Sequence, residues 1–140
     1  MDEKDLDAVA ELEQLSFSVP WSKRLLEQGF LGGLDYYLIM EQEGAVAGYL
    51  NFRIVAGEGE IERVAVHPQM RGRGFGRKLM EAMEEFAVSK GVTDMTLDVR
   101  AGNKRAINLY ESCGFVKEAV RKDYYRQPTE DAFIMWHRGI

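Results

Sequence analysis

The chain has 140 residues, of which 46% are hydrophobic and 29% charged, with a formal net charge of -5. That length suits a single domain spanning 1–140 with one proper core, and the composition excludes wholesale disorder. Basic residues gather near Arg71–Lys78 and Arg121–Arg126 of an otherwise acidic chain, a balance that favours a small phosphorylated ligand over a nucleic-acid backbone.

In chain order, Asp5 is placed to cap a first helix whose apolar residues Leu6, Val9, Leu12 and Leu15 recur at threes. This acidic, helical start has no basic-then-apolar signal, and no apolar run reaches membrane-spanning length, so a cytoplasmic protein without membrane contact is expected. Ser16–Pro20 breaks the helix, and Ser22 caps a short second one through Leu25 and Leu26, ending near Gly29. Tyr36–Glu41 and Val46–Ile54 read as a hairpin turned at Glu43-Gly44. After a loop at Ala56–Gly59, Glu60–Val66 reads as a third strand.

The longest helix follows a glycine-rich turn. Phe75, Leu79, Met83 and Phe86 recur at helical spacing, with Gly91 as the stop. Met95–Arg100 is the next strand. Asn103 caps a fourth helix carrying Ala106, Ile107 and Tyr110, stopped at Gly114, and Phe115–Val120 and Ala132–Trp136 close the sheet. The predicted fold class is α/β (α+β): a leading hairpin, then strand–helix–strand–helix–strand, giving a mixed sheet flanked by helices. Cys113 is the one cysteine, which excludes an intrachain disulfide and reads as a small buried hydrophobe. The two histidines, His67 and His137, have no metal-ligand spacing, and no metal is expected.

Arg71-Gly72-Arg73-Gly74-Phe75-Gly76 lies between the third strand and the longest helix. Glycines there let backbone approach an anion, and the free N–H groups of the helix's first turn point at it. Arg71, Arg73, Arg77 and Lys78 add cationic donors suited to phosphate. A P-loop is excluded because Gly76 is followed by Arg77-Lys78 rather than Lys-Ser/Thr. A dinucleotide fingerprint fits poorly. Its third glycine comes a residue early and the chain is too short for a doubled sheet, although Asp98 lies at a suitable distance for its acidic residue.

These residues resemble the GNAT acyltransferase superfamily over nearly the whole chain. Val64-Ala65-Val66, Pro68 and the Arg71–Gly76 run resemble its acetyl-CoA motif, and Asn103, Ala106, Leu109-Tyr110 and Gly114-Phe115 its second motif. Three further stretches resemble the bacterial RimI type, which acetylates the N-terminal alanine of a ribosomal protein. They are Phe17 with Pro20-Trp21-Ser22, Leu97–Ala101 with Asn103, and Arg121 with Tyr124-Tyr125 and Glu130-Asp131-Ala132. Two departures stand out: the family's usual first strand is missing before the first helix, and Asp98 stands where the RimI type carries glutamate.

The resemblance implies direct acetyl transfer from acetyl-CoA to an amine, with a peptide or protein N-terminus as acceptor. It places the pyrophosphate on Arg71, Gly72, Arg73, Gly74, Phe75, Gly76 and Arg77, the pantetheine arm along Val64, Ala65 and Val66, and Asn103 beside that arm. Tyr110 is the expected proton donor to the leaving thiolate, with Asp98, Glu60 or Glu62 as base. Glu60 and Glu62 enter because simple alternation puts them on the strand face of Val64 and Val66. Tyr124, Tyr125, Glu130 and Asp131 are the expected acceptor groove, which on residue pattern alone is a polar loop. A small-molecule amine acetyltransferase and a non-catalytic acyl-CoA-binding module remain as alternatives.

Overall fold

A computed structural model of the chain describes residues 5–17, 20–32 and 35–140. Its elements are α1 (Leu6–Ser16), α2 (Lys23–Gly32), β1 (Asp35–Gln42), β2 (Ala45–Val55), β3 (Glu58–Val66), α3 (Phe75–Ser89), β4 (Asp94–Arg100), α4 (Lys104–Ser112), β5 (Val116–Tyr125) and β6 (Glu130–Arg138). The strands form one mixed sheet in the order β1-β2-β3-β4-β6-β5. Among the described residues no strand precedes α1.

Two apolar clusters divide the molecule by sheet face. Leu79, Met80 and Met83 of α3 and Tyr110 of α4 pack with Leu50, Phe52, Met95 and Met135 on one face. Leu6, Val9 and Leu12 of α1 and Leu26 of α2 pack with Tyr37, Tyr49 and Ala65 on the other. β2 runs through the middle and is buried continuously from Ala47 to Phe52.

Several boundaries differ from those predicted, each for a physical reason. Leu15 is exposed and Glu13 is fully buried. At 3.6 residues per turn each step of three falls about 60° short, so a run at threes drifts around the helix, while i+7 returns to the starting face. Glu13 is at i+7 from Leu6. Asp5 holds the N-cap position of α1 without capping through its side chain, whereas Ser22 Oγ does accept from the Leu25 N–H at 3.1 Å. Of the expected break after α1, residues 18–19 lie outside the described set. α2 runs through Gly29 to Gly32, because that glycine makes room for the Tyr37 hydroxyl rather than ending the helix. β5 and β6 extend to Tyr125 and from Glu130, so most of the supposed polar loop is strand. β5 is exposed along nearly all its length, which leaves no apolar alternation to read. Cys113 is only half-buried.

Candidate active site

β3 and β4 pair in parallel only from Glu58–Asp94 to Ile61–Leu97. β3 nevertheless runs on to Val66 and β4 to Arg100, so the sheet opens into a V. Along the inner side of that V, β3 presents backbone N–H and C=O groups that β4 does not take up. An extended ligand can pair there as an added strand.

A bulge in β3 shapes the apex. Asn51 pairs with Arg63 but Phe52 with Ile61, which leaves Glu62 as the extra residue. The face on which Glu60 and Glu62 were expected must be corrected accordingly. Val64 and Val66 pack into the α3–α4 cluster together with Ile61, while Glu60 pairs with Arg53 on the alternate position. A bulge shifts the alternation by one, so counting by twos across it fails. Glu62 lies 3.9 Å from Arg53, which is itself bonded to Asp35 at 2.8 Å. Burial, reinforced by the charge of Asp35, pushes the Glu62 carboxyl up. Asp98 is the first β4 residue beyond the ladder, as Glu62 is in β3.

Beyond the end of β3 the chain makes a single 3₁₀ turn (Pro68–Met70) and enters the glycine run. Gly72 has φ +82° and Gly74 φ +78°, and a Cβ built on either would meet nothing within 4 Å. The backbone therefore takes left-handed turns that favour glycine, with open space at the first turn of α3. That open, amide-lined concavity fits a phosphate group. Arg71 Nε donates to the Val66 carbonyl at 3.1 Å, tying the cradle to the end of β3. Gly76 serves packing instead: a Cβ there would lie 3.1 Å from Leu109, so its absence lets α3 and α4 converge beside Val66.

These parts enclose a cleft of about 400 Å³. Val64, Ala65, Val66, Arg71, Gly72, Gly74, Phe75, Gly76, Arg77, Asn103 and Tyr110 all line it, as does Phe17. Arg73 is not on its wall, and its Nη1 meets the Met70 sulfur at 3.6 Å. Asp98, Glu60 and Glu62 do not line it either. Asn103 has two positions to satisfy at once: it lines the cleft, and its Oδ1 accepts from the Ala106 N–H at 3.2 Å as the cap of α4.

Tyr110 is buried at the cleft wall, its ring 6.3 Å from that of Phe115. Burial, with the nearby Tyr125 and Cys113, pushes its phenol well above the ordinary value, so it is protonated at any physiological pH. Tyr125 is pushed up to about 12, first by burial and then by the charge of Asp98. Arg100 lies 4.6 Å from the Tyr125 ring centre and donates to the carbonyls of Arg126 and Pro128. Glu130 accepts from Arg100 at 3.3 Å and from the Gly102 N–H, while Asp131 Oδ1 accepts from the Asp123 N–H at 2.9 Å. These two carboxylates are engaged in holding the β4–α4 and β5–β6 connections. The Tyr124 and Tyr125 rings meet edge to face at 5.1 Å, with Tyr124 exposed.

Ser16, Met70, Arg105, Ala106 and Leu109 also line the cleft and were not among the expected site residues. Ala106 was legible in principle, since it lies three residues after the cap Asn103 and four before Tyr110, and Leu109 follows Ala106 by three on the same helix. Ser16 and Met70 carried no sequence signal. The cradle opens from the α3–α4 side of the sheet, whereas Phe17 comes from the α1–α2 side, so the V joins the two faces.

The Acetyltransferase (GNAT) family model matches residues 6–115. A putative [ribosomal protein bS18]-alanine N-acetyltransferase of Bacillus subtilis is 36% identical over 138 residues, covering 95% of this chain and 89% of the relative. The [ribosomal protein bS18]-alanine N-acetyltransferase of Escherichia coli strain K12 is 36% identical over 139 residues, covering 94% and 89%. The crystal structure of the Escherichia coli ribosomal-protein-S18-alanine N-acetyltransferase superposes with a TM-score of 0.91 at 32% identity, covering 99% of this chain and 90% of that one. The crystal structure of Ard1 from Thermoplasma volcanium superposes with a TM-score of 0.92 at 25% identity, covering 100% and 95%.

Proposed function

The chain belongs to the GNAT acetyltransferase family and is an acetyl-CoA-dependent N-acetyltransferase, and on that premise we propose that its acceptor is the N-terminal α-amine of a protein, a ribosomal protein's N-terminal alanine in the first instance. The reading assigns the whole of 1–140 to one acetyltransferase domain working in the cytoplasm. The observation that carries it is a single cleft that joins a glycine cradle, a free strand edge and a protonated phenol, and opens to both sheet faces.

In this reading the amides around Gly72–Arg77, with the Arg71 and Arg77 side chains that line the cleft, hold the pyrophosphate. The free edge at Val64–Val66 pairs with the pantetheine arm, and one of its N–H groups polarises the thioester carbonyl where negative charge develops. Asn103 touches the arm. The acceptor enters from the α1–α2 side, with Tyr124 and Tyr125 along its path and Glu130 and Asp131 fixing the loops beneath. As the amine nitrogen bonds to the carbonyl carbon and the carbon–sulfur bond breaks, Tyr110 gives its proton to sulfur. The proton shed by the amine returns to Tyr110 by way of water and the carboxylates at the apex, Asp98 and Glu62, with Glu60 further along β3.

The chemistry favours an α-amine. Its ordinary pKa of about 8, against about 10.4 for lysine, leaves it hundreds of times more often neutral near pH 7. A base acting through water then suffices. The test is acetyl-CoA turnover against peptides varied at their first residue, with mass spectrometry of the product. Acetylation at the α-amine of peptides beginning with Ala or Ser is expected, and preferred acetylation of internal lysine would overturn the reading.

A further inference from the structure

One buried ion pair stands beside the cleft without belonging to the cradle or the phenol. Glu13 of α1 is 0% exposed, and its Oε1 accepts from Arg63 Nε at 3.2 Å. Arg63 sits on β3 immediately before Val64–Val66, the edge to which the transferred group is delivered. Its guanidinium carbon lies 4.2 Å from the centre of the Phe17 ring and 4.3 Å from that of Trp21. One cation thus joins three parts of the chain: α1 through Glu13, β3 through its own backbone, and the α1–α2 connection through two aromatic rings.

The arrangement is specific to a guanidinium. A planar, delocalised cation stacks on rings while its edge still donates to a carboxylate, whereas an ammonium offers no plane. Burial pushes the Glu13 carboxyl up, and the Arg63 charge, helped by the Tyr49 hydroxyl and the Trp21 amide, pulls it back. Among the described residues, Oε2 of Glu13 and the Tyr49 hydroxyl are buried without a hydrogen-bond partner. A buried ion pair contributes little net stability and is better suited to fixing geometry. Here the geometry concerns Phe17, which lines the cleft on the side from which the acceptor arrives.

We propose that Arg63 is a positioning residue for the acceptor: anchored on Glu13 and stacked with Phe17 and Trp21, it fixes the Phe17 wall of the cleft against β3. The proposal rests on the reading of a peptide α-amine as acceptor, and its test separates the two. Arg63→Lys keeps a charge for Glu13 and removes the planar stack. It is measured in a Trp136→Phe background, where Trp21 is the remaining tryptophan of the two in the sequence. The KM for an Ala-initiated peptide is expected to rise about tenfold, the scale of two lost cation–aromatic contacts, with kcat changed less than about threefold. Acetyl-CoA affinity should stay within about twofold, and acrylamide quenching of Trp21 should increase. The double variant Glu13→Gln/Arg63→Met removes both charges of this pair and should raise the peptide KM likewise. A peptide KM unchanged in both variants overturns the proposal, as does a loss of acetyl-CoA affinity matching the rise in KM. If no peptide α-amine is acetylated by the parent, the acceptor reading falls, and quenching alone decides: Trp21 no more accessible in Arg63→Lys than in the parent overturns the clamp.

Discussion

Gly74 gives the sharpest test of the cradle. It is the N-cap of α3, has φ +78°, and has no atom within 4 Å of where a Cβ would be. Gly74→Asn and Gly74→Asp therefore meet the same open space and the same left-handed backbone, a conformation these two residues tolerate better than most. Each should lose about 1 kcal/mol of stability from strain, equal in the two and so absent from their difference. What remains is one negative charge beside the pyrophosphate. Two unit charges about 5 Å apart at an effective dielectric of about 20 repel by roughly 3 kcal/mol. Solvent at this exposed turn reduces that to about 2 kcal/mol, which is on the order of thirtyfold in affinity. Isothermal titration calorimetry should show acetyl-CoA binding Gly74→Asp about thirtyfold more weakly than Gly74→Asn. The gap should narrow at 1 M salt, where screening acts within about 3 Å. Equal affinity of the two folded variants would refute the assignment of this turn to the phosphates.

Tyr110→Phe keeps the buried ring and its packing against Phe115, so cofactor affinity and melting temperature should hold while kcat falls by about a hundredfold, read in a steady-state thiol-release assay. Asp98→Asn should cost less, and its deficit should shrink as pH rises and the α-amine deprotonates unaided, which a pH–rate profile checks. Glu62 has a carboxyl raised above 4.5 by burial, so the folded state binds its proton more tightly than the unfolded chain. Its favourable contribution is full below the unfolded value and is lost as pH rises through the folded one. Thermal melts of Glu62→Gln should therefore show a gain over the parent near pH 7 that disappears below about pH 4. Gly114 has φ +96° and faces the His137 ring at a Cβ distance of 2.8 Å, so Gly114→Ala should lower stability by about 2 kcal/mol in chemical denaturation.

Local features of the sequence were enough for the element order and for the left-handed glycine turn that leads into α3. Gly72 and Gly74 are glycines because the backbone turns left-handed there, Asn103 caps its helix, and Tyr110 sits at the inner face of α4. Each of these is a short-range requirement that leaves its mark within a few residues. The sites that depend on distant partners were not legible in this way. The bulge at Glu62 exists only through the pairing of β3 with β2, and it moves Glu60 off the face that alternation assigns. Tyr124, Tyr125 and Glu130 looked like loop because β5 is solvent-exposed and carries no apolar pattern, although its pairing with β6 makes them strand. Glu13 and Arg63 are fifty positions apart and look like two ordinary surface charges. Spacing along the chain determines how a segment turns and which residues share its face. Only the packing of α1 against β3, and the parting of β3 from β4 after Ile61, decides that a carboxylate is buried, that a guanidinium is stacked, and that the end of β3 is left unpaired by β4.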